Sequence, residues 1–192
     1  MHARLHSHPV LAPLNGEGLT RSSYGLALQA LYGIHSAADT LLAAQWPDRS
    51  HRSPLIAADL AVLGDLPNQA SAASLPPITE LAAAVGMRYV VDGSSFGAKV
   101  LLGNVQKILG FNTHHGGLFF SGGHIDIANE WRKVLYLLDE LEYSTDRGSV
   151  LQTAADTFQA IENWLNHQIG LHIPVIEPGL KPYYPQRTDG RS

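Results

Sequence analysis

The chain has 192 residues, 13 Lys+Arg against 17 Asp+Glu for a formal net charge of -4, ten histidines and no cysteine. A chain of this size can bury a core without covalent staples, and its mild acidity argues against a protein that neutralises nucleic-acid phosphates. Without cysteine there are no disulfides, thiolate nucleophiles, Cys-type zinc sites or iron–sulfur clusters, so any iron must be held by imidazole or carboxylate.

At the N-terminus His2 and His6 fall four residues apart, one face of a helix; such pairs can bind a metal, but near a terminus they are more often solvated surface residues. The spacing predicts a helix over residues 20–45: Thr20 suits the N-cap, and Tyr24, Leu28, Leu31, His35, Ala38 and Leu42 follow at helical intervals. Pro47, Asp48, Arg49 and Ser50 break it. A second helix is expected over 54–63, with Pro54 in its first turn and Gly64 as its stop. Residues 65–77, rich in Pro and Ser, read as a connector, and Thr79 is expected to cap the helix after it.

The stretch 86–110 is ambiguous. Tyr89-Val90-Val91 has strand propensity, yet Phe96, Val100, Leu101, Val105, Ile108 and Leu109 recur at helical spacing. Gly110 to Gly123 reads as a glycine-rich loop bearing His114-His115. Further helices are predicted at 124–142 and 149–169, and the tail from His172, with Pro174, Pro178, Pro182 and Pro185, as extended chain. The whole is read as all-α: one helical domain over 1–171 and a Pro-rich tail over 172–192. No apolar run is long enough for a membrane span, and the first residues lack a basic-then-apolar leader. A cytoplasmic protein with no membrane and no nucleic-acid partner is expected.

Two readings compete for Gly93-Ser94-Ser95-Phe96-Gly97. As G-x-S-x-G it fits the nucleophile elbow of a serine hydrolase, with Asp126 or Asp139 and His167 or His172 completing a triad. That reading needs a strand before the motif and a central sheet, which the rest of the chain does not suggest. As a helix, it places Gly93 and Gly97 at i and i+4 on one face. Glycine there is unfavourable by about 1 kcal/mol per residue relative to Ala, so either a second helix packs closely or a flat ligand lies against the backbone.

Tyr89-Val-Val-Asp-Gly-Ser-Ser-Phe-Gly-Ala98 is similar to the distal-helix signature Y-V-x-E-G-S-x-L-G-G of the haem oxygenases, with Asp92 in place of Glu and Ala98 in place of Gly. Other pieces follow in the family's order. His2-Ala-Arg-Leu resembles the proximal-histidine helix. Thr20 to Tyr24, Tyr32-Gly33 and His35 resemble the next helix, and Asp59-Leu60 to Leu63-Gly64 its D-L-x-x-L-G. Phe119-Phe120, Trp131 and Leu138, then Thr157-Phe158 and Trp164-Leu165, resemble the last segments. The chain therefore resembles a bacterial haem oxygenase of the type that supplies biliverdin to bacterial phytochromes.

That resemblance implies a helical bundle with haem between an N-terminal proximal helix and a glycine-kinked distal helix. It implies His2 as the axial ligand of the haem iron, with His6 as its rival, and the other eight histidines on loops and surfaces. Gly93 and Gly97 would let the backbone lie directly over the ring, with Ala98 beside them in the cofactor-binding set, Ser94 would order distal water, and Tyr89 would donate its hydroxyl to a propionate. The implied reaction consumes O2 and electrons from a ferredoxin- or flavin-type reductase and releases biliverdin, CO and ferrous iron. A haem-binding or regulatory relative without turnover is the alternative within the same fold.

Overall fold

The computed structural model describes Leu5, residues 7–141 and residues 146–172, apart from the side chains of Phe96, Lys99, Leu171 and His172. His2, His6 and the segment 173–192 lie outside the described residues. Seven α-helices and two 3-10 turns make up the described part: α1 (Arg21–Leu42), α2 (Ser53–Val62), α3 (Leu81–Gly93), α4 (Ala98–Leu109), α5 (Leu118–Ser121), α6 (Ile127–Leu141) and α7 (Arg147–His172), with 3-10 turns at Ala12–Asn15 and Ser94–Gly97. Among these residues there is no strand, only an isolated bridge pairing of Asn112 with His115 and Gly116.

The helix ends follow local chemistry. Thr20 caps α1 in a reciprocal box: its Oγ1 accepts from the Ser23 N–H at 3.1 Å, and the Ser23 Oγ accepts from the Thr20 N–H at 3.0 Å. α2 ends on Gly64 at φ +82°, with Gly64 N–H to Ala61 O at 3.1 Å and Asp65 N–H to Leu60 O at 3.0 Å. This is a Schellman closure, and a side chain at that φ would be strained.

Thr79 does not cap α3. The helix starts at Leu81, with Glu80 extended at its N-cap position, and the Glu80 carboxylate accepts from Ser149 Oγ of α7. The expected glycine-rich loop holds one further helical turn, α5, because the buried Asp59 carboxylate accepts from the Leu118 and Phe119 N–H groups at 2.9 and 2.8 Å. Residues 88–92 are helix throughout. Val90 and Val91 are buried, so tertiary packing overrides their strand propensity.

The core sits around α1 and α3. One cluster joins Tyr24, Leu28, Leu55, Ile56, Leu60, Val105, Phe111, Phe119 and Phe120; Tyr24 is fully buried and its hydroxyl donates to Gly116 O at 2.5 Å. α3 packs against α7 closely enough that a Cβ on Gly86 would come within 2.4 Å of Val150 O, a backbone atom. α7 reaches α1 through Trp164, whose Nε1 donates to Ala30 O at 2.8 Å.

Candidate functional site

Between the N-terminal segment and the α3–α4 break lies a cleft of about 130 Å³. Leu5, Leu11 and Leu14 form one wall, Leu31 and Ile34 of α1 a second, and Phe158 and Ile161 of α7 a third. The opposite side is the broken helix itself, through Val90, Val91, Ser94, Ser95, Ala98 and Leu101. Phe119 and Phe120 close the inner end, beside His35 and Arg52. Apart from that inner corner, the two serines and Asn15, the lining is hydrocarbon, suited to a flat apolar ligand.

The break is a 3-10 turn, Ser94–Gly97, inserted between α3 and α4 without any residue in the left-handed region. At 3.0 residues per turn it rotates the chain by about 120° per residue instead of about 100°. The four steps from Gly93 to Gly97 therefore do not return to one face, which corrects the reading of the two glycines as a pair over a ligand. Gly93 faces α6, where a Cβ would lie 3.3 Å from Trp131 Cζ3. Tyr89 points the same way, 43% exposed, its ring centroid 5.7 Å from that of Trp131. Neither residue lines the cleft. Gly97 is half-buried and is the N-cap residue of α4; Ala98 is buried on the cleft wall. Ser94 also lines the cleft, but its hydroxyl proton is taken by Val91 O at 2.7 Å.

The hydrolase elbow is not built. Its expected strand is helix, and Ser95 Oγ accepts from the Arg52 guanidinium. Asp126, one proposed acid, accepts from the Asn129 N–H at 3.0 Å. His167, its proposed base, is exposed on α7.

Behind the break a chain of charges is buried. Arg49 donates to Asp39 Oδ1 at 2.7 Å and Asp92 Oδ1 at 2.6 Å, and Arg88 donates to Asp92 Oδ2 at 2.9 Å and Glu130 Oε2 at 3.0 Å. Burial opposes the Arg49 charge, but Asp92 and Asp39 outweigh it and hold the guanidinium protonated. Asp39 Oδ2 also accepts from the Arg52 and Ser53 N–H groups at 3.0 and 2.9 Å. This network ties α1, the segment before α2, α3 and α6 to the end of α3 immediately before the 3-10 turn.

His35 is the main correction to the expectation that eight histidines are peripheral. Only 2% exposed, it lines the cleft with its ring 5.1 Å from and edge-on to Phe119. Burial, then the Arg52 and Arg49 charges, hold its pKa well below the usual histidine value, so it is neutral at pH 7. His8 is buried too, its Nδ1 accepting from the Val10 N–H and its Nε2 3.2 Å from Asn166 Oδ1. His114 and His115 are exposed. The signal for His35 was its place in the apolar stripe of α1; for Arg52 no sequence signal existed.

The architecture has a counterpart among solved structures. The chain superposes on the NO- and CO-bound haem oxygenase from Neisseria meningitidis with a TM-score of 0.66, over 92% of this chain and 90% of that one, at 22% sequence identity. The fold is the haem-oxygenase fold. No protein-family model and no curated protein matches the sequence. Among the described residues of this haem-oxygenase fold, no helix is long and apolar enough to cross a membrane, and no group of three or more His, Asp or Glu side chains could hold a metal ion.

Proposed function

We propose that the cleft binds haem and that the protein is a haem oxygenase, opening the ring to biliverdin with release of CO and ferrous iron. The observation that carries this reading is the apolar cleft walled on one side by the broken helix α3–α4, within a fold similar to that of a haem oxygenase. The residues present fit the group: hydrocarbon walls suit a macrocycle, and the unpartnered Nδ1 of neutral His35 faces no competing protein donor or acceptor. Bound haem supplies both the iron that activates O2 and the ring that is cleaved.

The chain's own residues then hold, orient and exclude. His2 is the proposed axial ligand and His6 its rival. Ala98 and the backbone of the 3-10 turn keep the wall of the cleft thin, Gly97 allowing close approach. Ser94 and Ser95 add the hydroxyls nearest the turn, while Phe119, Phe120, Leu31 and Ile34 keep bulk water out. Gly93 and Tyr89 act from the α6 side, Gly93 by admitting Trp131. Electrons from a ferredoxin- or flavin-type reductase and delivery of biliverdin to a bacterial phytochrome form the cytoplasmic setting this reading implies. One haem-oxygenase-like domain over 1–171 with a Pro-rich tail over 172–192 belongs to the same proposal, α7 running one residue past that boundary.

Titration with hemin tests it. A Soret band is expected, followed by a biliverdin spectrum once reductant and O2 are supplied. A stable band without conversion would leave a haem-binding relative, and no band would overturn both. His2→Ala should abolish the histidine-ligated spectrum; if His6→Ala does so instead, the ligand lies one helical turn further on.

A further inference from the structure

The inner corner of the cleft contains a cation that the apolar walls do not explain. Arg52 is 4% exposed and lines the cleft. Its guanidinium donates to Ser95 Oγ, reaches Phe119 O at 3.4 Å, and lies 4.8 Å above the Phe119 ring. The two carboxylates whose charge acts on it, Asp92 and Asp39, direct their ion pairs to Arg49 and Arg88. Among the described residues no carboxylate pairs with the Arg52 guanidinium, and its Nε has no hydrogen-bond partner. Burial lowers its pKa to about 10, which leaves it charged at neutral pH. Beside it stands His35, whose Nδ1 is likewise buried and unpartnered.

Asp92 and Asp39 offset part of the Arg52 charge without touching the guanidinium, a buried cation lacking a direct ion pair is costly, and buried polar atoms without partners are rare. Here both occur together, on a cleft, against the same phenylalanine. We infer that Arg52, flanked by His35, forms a small-anion subsite at the inner end of the cleft, taking a monovalent anion of the azide or formate type. His35 is neutral, so the subsite offers one positive charge and favours one negative charge over two. Its unpartnered Nδ1 donates to the anion in the Nδ1–H tautomer. The subsite itself does not require haem; its use beside a bound haem rests on the function proposed above.

Two measurements test it. The first is the melting temperature of the ligand-free, full-length protein in sodium azide, formate or chloride at constant ionic strength. Azide and formate are expected to raise it above chloride by a few degrees in the wild type. Arg52→Lys should keep part of that shift and Arg52→Met none, with Arg52→Met in chloride melting no lower than the wild type. The second is azide titration of the hemin complex, followed at the Soret band. About tenfold weaker azide binding is expected for Arg52→Met at unchanged hemin affinity. Equal stabilisation of the wild type by all three anions, or equal azide affinity in the wild-type and Arg52→Met hemin complexes, overturns the subsite. Absence of a Soret band in the wild type overturns the haem proposal instead, and the melting series then decides the subsite alone.

Discussion

His35 and Asp92 illustrate how single side chains acquire roles that their sequence neighbours do not announce. His35 occupies a core position of α1, and burial beside Arg52 and Arg49 depresses its pKa in the folded chain. In the unfolded chain it returns to about 6.5. Above that pH both states are neutral and the stability is intact. As pH falls below it, only the unfolded state takes up the proton, so stability is lost progressively toward the folded pKa. Chemical denaturation between pH 7 and 5 should show His35→Gln with a shallower loss than the wild type, by up to about 1.4 kcal/mol per pH unit. Asp92 holds Arg49 and Arg88 together in a site all but closed to solvent. Asp92→Asn leaves two buried cations short of a partner and should destabilise by about 3–5 kcal/mol, lowering the melting temperature by on the order of 10 °C.

At the level of elements, the break between α3 and α4 and the contact between α3 and α7 position the cleft. Ala98 sits where the new helix begins, buried on the cleft wall. Ala98→Phe should fill the space a ligand plate would use, reducing hemin affinity at least tenfold while the melting temperature stays within a few degrees of wild type. Unchanged hemin binding would show that the plate lies elsewhere. Gly86 tests the scaffold instead. A Cβ there meets the Val150 carbonyl, which cannot rotate away as a side chain would, so Gly86→Ala should destabilise by about 1–3 kcal/mol despite Ala's better helix propensity. Thermal melts of the two variants distinguish a ligand wall from a packing contact. The same elements show where periodicity misleads. Gly93 and Gly97 share a face only on a straight α-helix, and the 3-10 turn sends Gly93 to Trp131.

Across the whole molecule the polar groups behind the cleft are linked from Asp39 through Arg49, Asp92 and Arg88 to Glu130, where Lys133 joins at 2.7 Å near the surface. The network fixes the end of α3 through the side chains of Arg49 and Arg88 and takes only the backbone N–H of Arg52, which leaves the Arg52 guanidinium without a direct ion pair at the cleft. Loss of the network should therefore loosen the break and the corner together. Asp92→Asn is expected to weaken azide binding to the hemin complex as well as stability, an effect Gly86→Ala should not share; azide titrations of the two variants at a temperature where both are folded compare them.

The helical class, the order of the helices, the Thr20 cap and the Gly64 stop are written in the sequence, because apolar spacing and capping chemistry act over three or four residues. A glycine kink in this helix is implied by the resemblance to haem oxygenases, whereas spacing alone suggests a continuous helix face. Which face of that break meets the cleft was decided only by the tertiary structure, since a local change from 3.6 to 3.0 residues per turn rotates everything beyond it. The same holds for His35 and Arg52. They lie 17 positions apart with no motif joining them, and their environment depends on carboxylates from α1 and α3 being claimed by other arginines. Long-range pairing of charges leaves no periodic trace in a chain, so the polar corner appears only once the helices are packed.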